Sequence, residues 1–370
     1  MKNHADNSAL RILHVLPFSG MGGGAPRAML TLAAEQQRRR PTWVLSLADN
    51  DFAAEARKTG ATVMCVYPTA EWPASRLGRW LRSVRAIRQA VRAHRIELIH
   101  CHSAPGNRYC YPASRLTGVP LVSHQRDNYQ ADHFHAWLHR TDHIIAVSEW
   151  VRSQLPAALQ EKATMVHDAV AIPPESAIVW PKETGPIVVG MAGRCIPEKG
   201  QDVFVEAMLE LVGTLDIEVE LWGFQETLPE VEFARQLQAK ITASGKRERF
   251  HLSGYRMDMD NFYRCVDVVV VPSRYAEPLG LVAMEAMAWG KATVVSAHGG
   301  LIESVKPEAT GLAFTPGDAK NLAAQMQRLC ADRPLMQRLA RAGRQAAAAQ
   351  FTAAAHADHI DAVYRRILNR

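Results

Sequence analysis

Ile187-Val-Val-Gly-Met-Ala-Gly193, with its loop to Gly200 and the helix-patterned run from Gln201 to about Val212, decides the fold. A short β-branched apolar run breaks at glycine, and the spacing of apolar residues then becomes helical. Upstream, Pro173, Pro174, Pro181 and Pro186 mark a boundary. Beyond it the N-terminal half opens in the same order. Arg11-Ile-Leu-His-Val-Leu-Pro17 leads to Gly20-Met-Gly22-Gly23-Gly24, and a helix pattern runs from Arg27 to about Arg38.

Further strands are predicted at Thr42–Leu47, Ala61–Val66, Glu97–His102, Leu121–His124 and His143–Val147, with a long helix from Ser75 to His94. In the second half they fall at Glu218–Trp222, Phe250–Ser253, Val266–Val271 and Thr293–Ser296. Alternating strands and helices predict parallel sheets covered on both faces. The expectation is two Rossmann-like, doubly wound domains, 1–172 and 173–353. Such sheets bind ligands at the carboxyl ends of their strands.

The chain of 370 residues, 48% hydrophobic and 22% charged, suits two globular domains. Its opening, Met1 to Ser8, is polar and unlike a signal peptide. No apolar run approaches the ~20 residues of a membrane helix. Six scattered cysteines form no CxxC pair, so reduced thiols and a cytoplasmic location are expected. Residues 1–172 carry 21 Lys and Arg against 13 Asp and Glu, the remainder 22 against 24. That asymmetry points the N-terminal half towards an anionic partner.

Pro272-Ser-Arg-Tyr-Ala-Glu277-Pro-Leu-Gly280-Leu-Val-Ala-Met-Glu285-Ala-Met-Ala-Trp-Gly290 resembles the signature of retaining glycosyltransferases of the GT-B fold, family 4. Gly299-Gly300-Leu-Ile-Glu303 resembles that family's next turn, and Gly193-Arg194-Cys-Ile-Pro-Glu-Lys199-Gly200 its diphosphate loop. The resemblance implies two domains facing a cleft, with a C-terminal helix, about 354–370, crossing back to the first. It also implies that the N-terminal domain takes the acceptor and the C-terminal domain a nucleotide-sugar donor.

The chemistry asks for these residue types. A departing diphosphate gains charge as the sugar bond breaks, and fixed cations and N–H groups stabilise that change. By resemblance, Arg194 and Lys199 hold the diphosphate beside Gly193, Glu277 meets the transferred sugar and Glu285 the ribose. Gly280, Leu281 and Val282 would present backbone N–H groups, and Gly254 and Tyr255 would also line the donor site. Glu97-Leu-Ile-His100-Cys-His102 resembles the family's His-x-His strand, which implies that His102 lies against the donor sugar as a catalytic residue, orienting or hydrogen-bonding sugar and acceptor. Gly22, Gly23 and Gly24 fit the loop near the donor phosphates. The resemblance therefore implies sugar transfer from a UDP- or GDP-sugar to a glycan or glycolipid, as in bacterial surface polysaccharide synthesis.

Two departures stand out. Pro26 replaces the family's usual glutamate, at what reads as a first helical position. His167-Asp168-Ala169-Val170 replaces its Asn-Gly turn.

No metal or other cofactor is expected, since Arg194 and Lys199 already neutralise the donor. Asp258-Met-Asp260 suits the start of a helix near Asn261, Asp49-Asn-Asp51 is a similar loop pair, and His135, His139 and His143 suit a solvated helix followed by a strand. No motif suggests nucleic-acid binding. Between Arg76 and Arg95 lie seven arginines and no acid, with Trp80, Leu81, Val84, Ile87 and Val91 at helical spacing. Such a helix either docks on the sheet with solvated arginines or also meets an anionic membrane, which would make the protein peripheral on the cytoplasmic face. A nucleotide-sugar epimerase would need acid–base groups around one sugar carbon. A non-catalytic sugar-nucleotide-binding protein would not need Arg194, Lys199, Glu277 and Glu285 intact.

Overall fold

The computed structural model describes residues 10–16, 20–21, 23–68, 75–133, 135–224, 230–254, 256 and 258–369. It divides into two compact units, Met1–Ala169 with Ala353–Arg370, and Val170–Thr352. Gly22 and Tyr255 lie outside the described residues.

In the first unit the order is β1 (Ile12–Leu16), α1 (Gly24–Arg39), β2 (Trp43–Ala48), α2 (Asp51–Lys58), β3 (Thr62–Tyr67), α3 (Arg76–Ala93) and β4 (Leu98–Cys101). Then come α4 (Asn107–Thr117), β5 (Leu121–Gln125), β6 (His143–Ala146), α5 (Glu149–Ser153), α6 (Ala157–Gln160) and β7 (Ala163–Met165). The strands form one parallel sheet ordered β3-β2-β1-β4-β5-β6-β7.

The second unit runs β8 (Ile187–Ala192), α7 (Gln201–Leu211), β9 (Ile217–Phe224), α8 (Glu230–Ala243), β10 (Phe250–Gly254), α9 (Met259–Cys265) and β11 (Val268–Val271). It continues with α10 (Leu281–Ala288), β12 (Ala292–Ser296), α11 (Leu301–Ser304), β13 (Leu312–Phe314), α12 (Ala319–Ala331) and α13 (Arg333–Gln350). Its parallel sheet is ordered β10-β9-β8-β11-β12-β13. The last helix, α14 (Ala353–Ile367), belongs to the first unit, where Ala357, Ile360, Val363 and Tyr364 pack on Ile12, Leu98 and Ile145.

A strand buried on both faces must be apolar throughout, and β11, four consecutive valines, is buried at every position. In both sheets the strand order reverses beside the first strand, between β1 and β4 and between β8 and β11. Those switch points are where open α/β sheets leave a crevice for ligands.

Several elements differ from the sequence expectation. Helix α1 begins at Gly24, not Arg27, so Pro26 is its third residue. The first-turn N–H groups have no helical acceptor, so proline costs no hydrogen bond there. Strand β11 begins at Val268, and just before it the buried carboxylate of Asp267 accepts from the N–H groups of Lys182 and Val188. Strands β7 and β13, of three residues each, are too short to show alternation, helix α2 is only eight residues long, and α4 carries Pro112 within it, so none of the four is expected from the sequence. Asn50 caps α2 through the Ala53 N–H, and Asp49 is paired with Arg57. Asp258 caps α9 by accepting from the Asn261 N–H. Residues His135–Arg140 form a 3-10 helix and His143 opens β6.

In α3, Ser75 caps the N-terminus, and Val84, Ile87 and Val91 are buried. Leu81 does not join that stripe: with Leu77 it faces solvent, 54% and 65% exposed. The docked face takes in Ser83 and Ala90 as well, which turns position 81 away from the sheet, and the sequence does not show which arc of so apolar a helix docks.

Candidate functional site

In the second unit Gly193, Arg194, Lys199 and Glu277 gather at the β8/β11 switch point, whereas Gly254 ends β10 at the edge of the sheet. Gly193 follows β8 and donates its N–H to the Trp222 carbonyl. Arg194 is exposed, and its carbonyl accepts from the side chain of Gln201, at the start of α7. Lys199 closes a 3-10 turn before Gly200. Gly200 has φ +77°, and a Cβ there would lie 2.0 Å from the Pro272 carbonyl oxygen. Only glycine lets the Lys199 turn approach the loop after β11 so closely.

That loop carries Glu277. The ammonium of Lys199 donates to Glu277 Oε1 at 2.7 Å and to the Tyr275 hydroxyl at 3.1 Å. Ser273 Oγ donates to the same Oε1 at 2.6 Å, and the Tyr275 hydroxyl to Oε2 at 3.1 Å. Burial opposes the charge on Lys199, but Glu277 and Tyr275 outweigh it and hold the ammonium above its ordinary pKa. Behind the carboxylate, Gly300 N–H donates to the Glu277 carbonyl at 2.7 Å. The site is therefore a part-buried cation and anion held by two hydroxyls, able to meet phosphate and sugar hydroxyls respectively.

Gly280, at φ +84°, caps α10. Leu281 and Val282 are the first residues of α10, so their N–H groups lack helical acceptors and offer an anion-facing terminus. Glu285 is about one turn into α10, which starts at Leu281. Its Oε2 accepts from the buried Tyr263 hydroxyl at 2.7 Å. Gly254 ends β10 and is exposed.

In the first unit, β1 and β4 are in register at His14 and His100, and His102 lies just past β4. Gly23 and Gly24 stand at the start of α1. His102 is 1% exposed, and both its ring nitrogens are engaged. Nε2 meets His14 Nδ1 at 2.9 Å and Nδ1 meets Arg126 Nη1 at 3.0 Å. Arg126, directly after β5, makes a two-pronged contact with Asp168, both bonds 2.8 Å. His14 Nε2 meets Gln36 Oε1 at 2.7 Å, and Gln36 donates to Asp361 of α14 at 2.8 Å. Burial holds His14 down to about 4 and His100, His102 and His124 well below the ordinary histidine value.

Sequence reasoning did not identify Ser273, Tyr275, Tyr263, Arg126, Asp168, Gln36 or Asp361. Proximity to Glu277 could have flagged Ser273 and Tyr275, whereas Asp361 had no local signal. His14, His100 and His102 are the one group of three or more potential metal ligands among the described residues.

The model of Glycosyl transferases group 1 matches residues 174–346, and that of Glycosyltransferase Family 4 residues 22–171. The chain is 31% identical over 259 residues to the lipopolysaccharide core biosynthesis mannosyltransferase LpcC of Rhizobium leguminosarum bv. viciae, covering 68% of this chain and 73% of that one. It is 31% identical over 173 residues to the mannosylfructose-phosphate synthase of Agrobacterium fabrum, covering 45% of this chain but only 38% of that protein. Among solved structures, Anabaena Alr3699/HepE in complex with UDP and glucose superposes with TM-score 0.81 at 23% identity, over 96% of this chain and 99% of that one. These matches, over a doubly wound pair of sheets with the motif residues at their switch points, place the chain in the glycosyltransferase family 4, group 1, with the GT-B fold.

Proposed function

We propose that this chain transfers a hexosyl group from a UDP- or GDP-sugar to a glycan or glycolipid acceptor, with retention of configuration and without a divalent metal. The observation that carries this reading is the Lys199–Glu277 pair, part-buried at the β8/β11 switch point with Arg194 exposed nearby. A nucleoside diphosphate brings negative charge to Lys199 and Arg194, and the sugar hydroxyls meet Glu277. Glu285 takes the ribose. As the bond from the anomeric carbon to phosphate breaks, the acceptor oxygen bonds to that carbon on the same face. The departing phosphate oxygen takes the acceptor proton while Lys199 and Arg194 hold the developing charge. The mannosyltransferase name of the Rhizobium relative supports a role in bacterial surface glycan synthesis, and the UDP and glucose of the HepE structure support a nucleotide-sugar donor.

The acceptor side is read from α3. Exposed Leu77 and Leu81 stand on the same helix as exposed Arg76, Arg82, Arg85 and Arg92. Apolar side chains beside unbalanced positive charge suit an anionic membrane surface and an acceptor held there.

Thermal unfolding with UDP, GDP, ADP and their sugar conjugates tests the donor, because a ligand bound only by the native state raises its melting point. UDP or GDP should raise it, and Lys199→Ala should abolish the rise. If none of these nucleotides shifts the melting point, the reading fails.

A further inference from the structure

The polar residues beneath the end of β4 form one continuous path through an apolar layer. It runs Arg126–His102–His14–Gln36–Asp361, drawing on β4, β1, α1 and α14. His14 and Gln36 are fully buried, and His102 and Asp361 nearly so. Asp168 anchors Arg126 at one end, and Arg40 pairs with Asp361 at the other, with bonds of 2.6 and 2.5 Å.

The direction of every hydrogen bond in this path follows from its ends. Arginine only donates, so His102 Nδ1 accepts and its proton stands on Nε2. Nε2–H then donates to His14 Nδ1, which leaves the His14 proton on its own Nε2, directed at Gln36 Oε1. From the other end, the Asp361 carboxylate only accepts, which points the Gln36 amide nitrogen at it and the amide oxygen at His14. The two ends dictate the same polarity independently, and no donor faces a donor.

We propose that Arg126 and Asp361 are positioning residues for His102, fixing both His102 and His14 as Nε2–H tautomers from opposite ends of one hydrogen-bonded chain. This rests on reading His102 as part of the transfer site. Both ring nitrogens of His102 are then committed inside the protein. It meets a sugar as a rigid wall and not as a proton donor or base.

The same geometry argues against a metal ion at His14, His100 and His102. His100 Nε2 is buried and has no hydrogen-bond partner among the described residues, which would favour an ion. Coordination through His102 Nε2 would however move that proton to Nδ1, where Arg126 already donates. Metal-bound histidines instead turn their second nitrogen towards an acceptor.

Nitrogen-15 NMR of histidine-labelled protein reads the tautomers without substrate. Wild type should show pyrrole-type Nε2 and pyridine-type Nδ1 for both His102 and His14. Arg126→Met should shift the His102 Nδ1 signal to its unbonded position, and Gln36→Met with Arg126→Met should mix the tautomers. In transfer assays Arg126→Met should lower kcat at least fivefold with donor KM within twofold, and Arg126→Lys, which still only donates, should restore most of it. If Arg126→Met does not fold, Gln36→Met carries the test: the His14 Nε2 signal should shift while Arg126 keeps the His102 proton on Nε2, and a proton on His102 Nδ1 in that variant overturns the proposal. A proton on His102 Nδ1 in wild type overturns the proposal. So does stoichiometric Co²⁺ binding that broadens the His14 and His102 signals, wild-type kcat in Arg126→Met, or no rescue by lysine. Because the NMR arm needs no sugar, its failure is distinct from failure of the nucleotide-sugar reading, which Lys199→Ala tests separately.

Discussion

Lys199 and Glu277, 78 positions apart in the chain, meet at 2.7 Å, and Ser273 and Tyr275 hold the carboxylate against the ammonium. Under the proposed function, each charge is the other's partner until a nucleotide-sugar supplies phosphate to Lys199 and hydroxyls to Glu277. Lys199→Ala and Glu277→Ala should each lower donor turnover at least tenfold, a barrier change of about 1.4 kcal/mol. Steady-state rates with circular dichroism as a folding control check this. Wild-type turnover in either variant removes that residue from the site.

Sugar transfer should persist in EDTA. The expectation rests on Arg194 and Lys199 as the counter-charges of the diphosphate, and on Asp258 and Asp49 being engaged as a helix cap and an ion pair. Activity lost in chelator and recovered with Mg²⁺ or Mn²⁺ would contradict it.

Acid should destabilise the first unit through its buried histidines. Burial lowers the folded-state pKa of His14 from 6.5 to about 4, and holds His100, His102 and His124 well below 6.5. The unfolded chain therefore binds more protons than the folded one once pH falls below 6.5, so stability rises with pH across this window. Loss begins as pH drops through about 6.5 and continues to about 4, at up to ~1.4 kcal/mol per pH unit for each histidine. Unfolding free energies from urea titrations at a series of pH values should fall by at least ~2 kcal/mol between pH ~7 and ~5. A flat profile would mean that the rings are not held neutral.

Gly200→Ala should cost about 2–4 kcal/mol, since the residue adopts φ +77° and its new Cβ would press on the Pro272 carbonyl. The same change should weaken nucleotide binding by moving Lys199. Denaturant titration and calorimetry read the two effects, and an unaltered midpoint would refute the first.

Vesicle co-sedimentation tests α3. Binding should need anionic lipid, fall as salt rises, and weaken in Leu77→Ser/Leu81→Ser and in Arg82→Gln/Arg85→Gln. A protein that ignores anionic vesicles at low salt has a different acceptor surface.

The sequence by itself determined the class of fold and the place of the glycosyltransferase motif. Strand and helix periodicity are local properties, and a β-branched run such as Val268–Val271 declares a strand buried on both faces whatever surrounds it. The signature from Pro272 to Gly290 likewise lies in one continuous segment, so its resemblance could be read without knowing any contact. Only tertiary structure decided which charges neutralise each other and which protons are fixed. Arg126 finds Asp168 at a separation of 42 residues, and Gln36 finds Asp361 at 325. Such pairs leave no periodicity, because a buried polar group needs a partner in space and not at any particular distance along the chain. Leu81 makes the same point on the surface: its apolar character was plain, but the docking angle of α3 placed it in solvent.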